Sequence, residues 1–525
     1  MNNNYDAIVI GAGHNGLVAA AMLAAAGKRV VVLEKRDVIG GAAATEEIFP
    51  GYRVDTGATD ASLLQEEVIQ KLNLRQHGLQ FHESPALLFA PQPDGRALTI
   101  WRDDARTAEE IARFSQRDAG QWLAFRRQVE HFAGLLRGML LRTPPDLAGL
   151  RRGDVMSWAP LALEIRRQGG GDMMELFRVL PMAVQAYLDE WFESDALKGA
   201  LGGSAVTGTA LGPRSGGTTL MFLYQNLGGL LAHRFVNGGM GHLSEALATA
   251  ARANGTTLHT GAGVERVLVD EGTAVGVRLE NGEEIRAGTI LSNADPRRTL
   301  FGLVGPQHLE PDVMRHVRNI IYRGTTARLN LVLEGLPVFI GQQDVEQLGG
   351  RIRLSPSLDY LEKAYDASKY GRFSDHPYLE LFIPTIQDRS LITSGQANGN
   401  HHILTATMQY APYALRESDW PAQAEVLRET ILDALESIAP SIRRLIIHQQ
   451  ITTPLDFEHI YQLTEGSIYH GQMGLDQMLV MRPIPEWSRY ETPIRNLYLC
   501  GSGSHPGGGI TGAPGYNAAR AVLSI

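Results

Sequence analysis

The chain has 525 residues, 44% of them hydrophobic and 20% charged, with a formal net charge of −9. That is an ordinary globular mix, long enough for several domains and a large core. Its acidic balance argues against a general nucleic-acid binder, which carries a basic footprint. Cys500 is the one cysteine, which excludes an intramolecular disulfide, a zinc site built from cysteines alone and a CxxC redox pair.

The first residues, Met1–Asn4, are polar, and Tyr5 already opens a strand-like run, so no secretory signal is expected. The longest uncharged stretch, Ser215–Ala232, carries Gln225, Asn226 and several glycines, which suits a buried or interfacial segment better than a span. The expectation is a cytoplasmic protein, with contact to a membrane surface left open.

Tyr5–Ile10 reads as a buried parallel strand ending at Gly11. Leu17–Ala26, rich in Ala and Leu, reads as a helix capped by Gly27, and Arg29–Leu33 as the next strand. Leu87–Phe89 and Ala97–Trp101 flank Pro93-Asp94-Gly95, a hairpin signal. Trp122, Phe125, Val129, Phe132, Leu136 and Met139 step by threes and fours, as a core-facing helical stripe does. Gly238-Gly239-Met240-Gly241 precedes a helix over Leu243–Ala253, followed by strands at Val264–Val269, Ala274–Leu279 and Ile285–Leu291. Apolar strands at Ala327–Leu333, Tyr378–Ile383 and Ile403–Met408 suggest a second sheet, and residues 496–525 return to strand, glycine loop and helix.

Three motifs carry chemistry. Gly11-Ala12-Gly13-His14-Asn15-Gly16 follows a strand and opens a helix. Gly11 permits the tight turn, Gly13 lets the backbone approach a pyrophosphate, and Gly16 allows close helix–sheet packing. Glu34, at the end of the second strand, suits the ribose hydroxyls and would repel a 2′-phosphate, so FAD or NAD is preferred over NADP. Next, Lys35 and Arg36 lead to Gly40-Gly41-Ala42-Ala43 and then to Gly57-Ala58, a second stretch of backbone able to wrap a long dinucleotide, which favours FAD. Last, Gly501-Ser502-Gly503 and Gly509-Ile510-Thr511 form a glycine-rich turn before a short helix near Pro514, whose positive end can stabilise charge on a reduced flavin.

In this order the motifs resemble the phytoene desaturase-type FAD-dependent carotenoid oxidoreductases, and the resemblance covers nearly the whole chain. It includes Gly238–Leu243 and Ser292-Asn293-Ala294-Asp295-Pro296. Two branches look most similar. They are the flavin-type β-carotene ketolases and the group called pyridine nucleotide-disulfide oxidoreductase domain-containing protein 2. The string His14–Ala20 and Gly474–Met478 resemble both, and Cys500-Gly501-Ser502-Gly503 leans to the second.

The resemblance implies an α/β fold. A Rossmann-like FAD-binding domain is assembled from residues 1–75, 235–305 and 491–525, with an inserted α+β substrate domain of mixed sheet and helices at 76–234 and 306–490. It also implies backbone contact from Val264 to adenine, a place for Asn293 at the cofactor, a long apolar tunnel and a peripheral membrane habit. Many flavoproteins carry an acid at the place of Ser502; a serine there can only hydrogen-bond.

The expected activity is FAD-dependent dehydrogenation of a hydrophobic, isoprenoid or carotenoid-like substrate. Alternatives are carotenoid ketolation, an amine or other small-substrate oxidase, and a flavin-binding scaffold without turnover. The electron acceptor and oligomeric state stay open. His505, beside the glycine loop, is the candidate base. Arg53 and Asp55 suit structural pairing. The adjacent His401 and His402 would face opposite ways on a strand, so no metal site is expected. Nothing resembles HExxH, a GxSxG elbow or a P-loop.

Overall fold

The strand Tyr5–Ile10 is the axis of one half of the molecule. A computed structural model describes residues 5–146, 149, 155–160, 163, 170–393 and 399–524. Val30–Leu33 lies parallel to that strand on one side, and Glu284–Ser292 lies parallel on the other. Thr257–His259 extends the sheet beyond the first, and Leu497–Leu499 lies beyond the second. Three distant stretches of chain therefore build one parallel core. Val264–Asp270 and Thr273–Leu279 add an antiparallel hairpin to the first half of Glu284–Ser292.

Helix His14–Ala25 joins the first two strands, and helices Met240–Ala253 and Ala513–Leu523 pack against it. Small residues set the approach. A Cβ at Gly16 would lie 2.2 Å from the Gly11 carbonyl oxygen, and one at Gly515 2.0 Å from that of Asn15. The helix begins at His14 rather than Leu17, so its first turn sits directly on the glycine loop. The strand order reverses at Tyr5–Ile10. The crevice at the carboxyl ends beside such a reversal is where open α/β sheets bind ligands.

The second sheet has seven strands in the order Ile446–Thr452, Thr326–Leu333, His402–Gln409, Tyr378–Phe382, Arg351–Leu354, Ala86–Pro91 and Ala97–Trp101. All neighbours are antiparallel except Arg351–Leu354 with Ala86–Pro91. One face packs Leu329, Leu331, Leu379, Leu381, Leu404 and Met408 into a core with helix Trp420–Ile438. Successive side chains alternate between faces, so the opposite face carries Thr326, Arg328, Thr405, Thr407, Gln409, Tyr378 and Glu380. Register aligns one row of these: Arg328 is opposite Thr407, Thr407 opposite Glu380, and Glu380 opposite Arg353.

The stripe from Trp122 to Leu136 lies on helix Gln116–Leu140, whose N-terminus is capped by the Ser115 hydroxyl accepting from the Asp118 amide at 3.1 Å. Its aromatic face packs with Tyr187, Phe192 and Phe222 from neighbouring helices. Ser215–Ala232 holds a buried helix, Thr218–Gln225. Among the described residues no helix is long and apolar enough to cross a membrane.

Candidate active site at the seam of the two sheets

A cavity of about 770 Å³ runs from the strand-order reversal of the first sheet to the polar face of the second. At its first end, both Glu34 carboxylate oxygens accept backbone hydrogen bonds, from Ala12 at 2.7 Å and from Arg36 at 2.9 Å. A carboxylate oxygen has two lone pairs, so each keeps one for a ligand. The chain folds over this point: the Glu34 amide donates to the His259 carbonyl, and the Ala262 and Gly261 amides donate to the Glu34 and Arg36 carbonyls. Val264, the next strand's first residue, lines the cavity there.

The glycine loop comes next. Helix His14–Ala25 has Gly13 as its N-cap, with no side-chain cap and no acidic residue in its first turn. Its terminal amides are thus free donors at the positive end of the helix dipole. Asn293 is fixed by its amide donating to the Ile10 carbonyl, and its side chain lies across the loop; a Cβ at Gly13 would meet Asn293 Nδ2 at 2.6 Å. Asn15 Nδ2 donates to Ser502 Oγ at 3.3 Å, joining the first and last motifs. The Gly40 amide donates to the Ala12 carbonyl, and the Ala58 amide to that of Ala42. A Cβ at Gly57 would lie 2.1 Å from the Ala42 oxygen.

At the far end the polar row forms part of the wall. Arg353 and Glu380 form an ion pair, and Arg351 pairs with Asp60 and lies 3.6 Å from Glu380. Burial alone would raise the Glu380 carboxyl, but the Arg353 and Arg351 guanidiniums hold it below the usual range. Arg351 Nη1 also donates to the Leu231 and Ala232 carbonyls. Apolar side chains complete the wall, among them Leu63, Phe382, Phe457, Ile460, Leu463 and Ile468. This end of the chamber is amphipathic: register places charged side chains on the face that opens to it, beside the apolar ones. Two histidines of the chamber wall, His14 and His470, are half-buried, and desolvation pushes both imidazoles down to about 4, so both are neutral at pH 7.

Several buried polar atoms on the wall have no hydrogen-bond partner among the described residues: His14 Nε2, Asn15 Oδ1, Arg36 Nη1 and Arg298 Nε. Buried polar groups are normally satisfied, so the unpaired N–H groups and the uncapped helix fit phosphate acceptors, and Asn15 Oδ1 and the free lone pairs of Glu34 fit hydroxyl donors, as a long dinucleotide supplies both. The family model for "Flavin containing amine oxidoreductase" matches residues 16–523. The chain belongs to that family. It is an FAD-dependent oxidoreductase with a Rossmann-like FAD-binding fold. It is 35% identical over 547 residues to the "Pyridine nucleotide-disulfide oxidoreductase domain-containing protein 2" of Rattus norvegicus, covering 99% of this chain and 93% of that one. It is 29% identical to a limonene dehydrogenase chain of Castellaniella defragrans, covering 98% and 94%. It is 26% identical to the "Phytoene desaturase (neurosporene-forming)" of Cereibacter sphaeroides, covering 99% and 94%. These similarities agree with the phytoene desaturase-type resemblance.

The cavity brings together Gly11, Gly13, His14, Asn15, Glu34, Lys35, Arg36, Gly40, Gly41, Ala42, Gly57, Ala58, Val264, Asn293, Ser502, Gly509 and Ile510. Four expected cofactor residues lie behind its wall. Gly16 serves the helix–loop packing described above. Ala43 is buried, its carbonyl accepting from the Ser244 hydroxyl at 2.8 Å. A Cβ at Gly501 would lie 2.6 Å from the Asn293 carbonyl oxygen, so this glycine lets two strand ends meet. Thr511 is buried, its carbonyl accepting from the Gln65 amide and its hydroxyl from the Ala513 amide. His505, the expected base, does not line the cavity either. It is fully buried away from the cavity, with Nε2 3.3 Å from the Met139 carbonyl oxygen, and burial pushes its imidazole down to about 4.

Asp55 pairs structurally, as expected: it accepts from Thr45 Oγ1 at 2.6 Å and from the Met240 amide at 2.8 Å, anchoring the start of helix Met240–Ala253. His401 lies 2.6 Å from the Tyr52 hydroxyl and His402 3.1 Å from that of Thr385, and no metal-binding cluster occurs among the described residues. Sequence reasoning missed the polar row. Its signal was present: Thr326, Arg328 and Asn330 alternate with Ala327, Leu329 and Leu331, the period of a half-buried strand.

Proposed function

We propose that this chain catalyses FAD-dependent dehydrogenation of an isoprenoid-type substrate held between the glycine loops and the polar row. The observation that carries this reading is the single chamber shared by the two sheets. Its first end has the donors and lone pairs a dinucleotide needs, and its second end has room and apolar wall for an organic substrate. The names of the limonene and phytoene relatives support the isoprenoid class. The polar row speaks against a long hydrocarbon lying along the floor, so a short isoprenoid is favoured over a carotenoid.

Bound FAD would supply the hydride acceptor. Glu34 would hold the ribose of the adenosine. The first turn of helix His14–Ala25, with Arg36 and Arg298, would face the pyrophosphate. Gly57, Ala58, Ser502 and Gly509 would line the flavin end through backbone and hydroxyl groups. Val264 would cover the adenine. Leu63, Phe382 and Ile468 would exclude water from the reacting carbon and hold it in one orientation. His14 and His470, being neutral, add no fixed charge beside the reacting centre. An amine substrate is disfavoured because Asp60 and Glu380 are already neutralised by Arg351 and Arg353. Membrane contact, if it accompanies this activity, would use helix Gly170–Val179, where Met174 and Phe177 are 66% and 63% exposed.

The test is anaerobic mixing of the FAD-loaded protein with limonene, with phytoene in lipid vesicles and with cyclohexylamine. Bleaching of the flavin bands by limonene but not by the amine is the expected result. Bleaching by the amine alone would overturn the proposal.

A further inference from the structure

Charges on the chamber's second wall do not cancel. Arg351 and Arg353 are matched by Asp60 and Glu380, two cations against two anions. Arg328 has no such partner. It lines the chamber and is only 5% exposed, and among the described residues no carboxylate makes an ion pair with it. The Tyr461 hydroxyl and, less, the Asp55 carboxylate act on it through space, but neither makes a hydrogen bond or ion pair with its side chain, and that carboxylate is bonded to Thr45 and to the Met240 amide. Nη1 donates to the Asp55 backbone carbonyl at 3.0 Å, Nη2 has one long contact of 3.4 Å to Thr407 Oγ1, and Nε has no partner among the described residues. Isolating a guanidinium from water with an unsatisfied N–H is costly. Such a group is found where a ligand completes it. Burial already pushes the arginine below its ordinary value, in keeping with a cation that lacks its counter-ion.

We propose that Arg328 is the specificity-determining residue of the chamber, and that it pairs with a carboxylate on the substrate through its Nε–Nη2 edge. The proposal deepens the reading of an isoprenoid dehydrogenase and rests on it for the substrate's body. Guanidinium and carboxylate geometry match two parallel N–H···O bonds. Thr407, opposite Arg328 in the sheet register, places its hydroxyl beside the same edge and can donate to the bound oxygen. One unpaired positive charge matches one negative charge. A phosphate monoester, which carries nearly two, would need a second cation, and Arg351 and Arg353 are already engaged. The apolar wall formed by Phe382 and Ile468 suits the hydrocarbon body. An isoprenoid acid thus fits the chamber better than the corresponding hydrocarbon or alcohol.

The experiment uses the FAD-loaded protein and three probes of similar size: geranic acid, geraniol and limonene. Binding is read from the shift of the flavin bands, and reduction from their bleaching without oxygen. Geranic acid should bind at least about 10-fold more tightly than geraniol. Arg328→Met should weaken the acid by about 10- to 100-fold relative to geraniol and limonene, the range for a charge-assisted hydrogen bond. Arg328→Lys should restore part of the loss. Thr407→Val, a gentler change, should weaken the acid a few-fold and guards against a methionine variant that does not fold. Equal binding of acid and alcohol would overturn the proposal. So would tighter binding of geranyl monophosphate than of geranic acid, or loss of FAD from both variants, which would make Arg328 a cofactor residue. If the acid binds in an Arg328-dependent way but no probe bleaches the flavin, the dehydrogenase reading fails while the carboxylate site stands.

Discussion

The two walls of the chamber recognise their ligands in different ways. On the first sheet, recognition is a matter of backbone: glycines at the ends of parallel strands let main-chain amides and a helix terminus come within reach of a cofactor. On the second sheet it is a matter of side chains: an antiparallel register lines up Arg328, Thr407, Glu380 and Arg353 from four strands. A backbone site tolerates almost no added atom, because main chain cannot swing aside. A side-chain site tolerates changes of shape but not of charge, because Arg353 is buried and its ion pair with Glu380 is closed. Each wall should therefore break under a different kind of substitution.

The largest effect is expected on the backbone side. Gly57→Val places a Cβ 2.1 Å from the Ala42 carbonyl oxygen and 2.7 Å from its carbonyl carbon, so the two cofactor loops must separate. Protein purified from this variant should carry no FAD, read as flavin absorbance per mole after gel filtration. Full retention of FAD would mean that these loops do not form the cofactor wall. The counterpart on the other side is Glu380→Ala. It leaves Arg353 buried without its carboxylate, and breaking a buried pair in this way costs about 3–5 kcal/mol. Urea unfolding of the FAD-loaded protein should record that loss, while FAD content stays at one per chain. If FAD were lost along with stability, the two walls would not be separable.

The contrast also explains what was legible in the sequence. Backbone recognition is local: Gly11, Gly13 and Gly16 sit within six residues, and Glu34 follows at the end of the next strand, so spacing alone pointed to a dinucleotide. The polar row is not local. Arg328 and Thr407 are neighbours only through strand register, and nothing in the intervening chain announces the pairing. The period-two alternation around Arg328 was readable, but an expectation of apolar strands passed over it. His505 misled for a related reason. It adjoins the glycine loop in sequence, yet its side chain turns away toward the Met139 carbonyl oxygen. Adjacency in a loop does not set the direction of a side chain.

Acidity should act on the fold within and beyond the chamber. His233 and His505 are buried, His14 and His470 half-buried, and desolvation pushes each imidazole down to about 4. The unfolded chain, with ordinary histidines near 6.5, binds more protons than the folded one between these values. Their stabilising contribution is thus complete at pH 7 and is lost as pH falls from 6.5 toward 4. At pH 5 the two buried histidines, His233 and His505, each cost about 2 kcal/mol, by the energy equivalent of a pKa difference. Asp55, pushed up to about 6 by burial, works in the opposite direction and recovers part of the loss. Urea unfolding at pH 7, 6 and 5 should show a steep fall. His505→Asn should flatten it by about 2 kcal/mol without altering the flavin bands, because that histidine lies outside the chamber. An altered flavin spectrum would return His505 to the site.

The smallest effect belongs to the seam between the first and last motifs. Asn15 Nδ2 reaches Ser502 Oγ at 3.3 Å, a long hydrogen bond between neutral groups, and Asn15 Oδ1 has no partner among the described residues. A bond of this kind contributes about 0.5–1.5 kcal/mol. Ser502→Ala should therefore weaken FAD by no more than about 10-fold, measured by fluorescence titration of the stripped protein, and should leave the midpoint of thermal unfolding nearly unchanged. The reason is the same one that makes Gly57→Val severe: on this wall the main chain makes the cradle, and a single hydroxyl only trims it. A loss as large as that of the glycine variant would mean that Ser502 replaces the acid found in many flavoproteins, and that side chains share the work on both sides of the chamber.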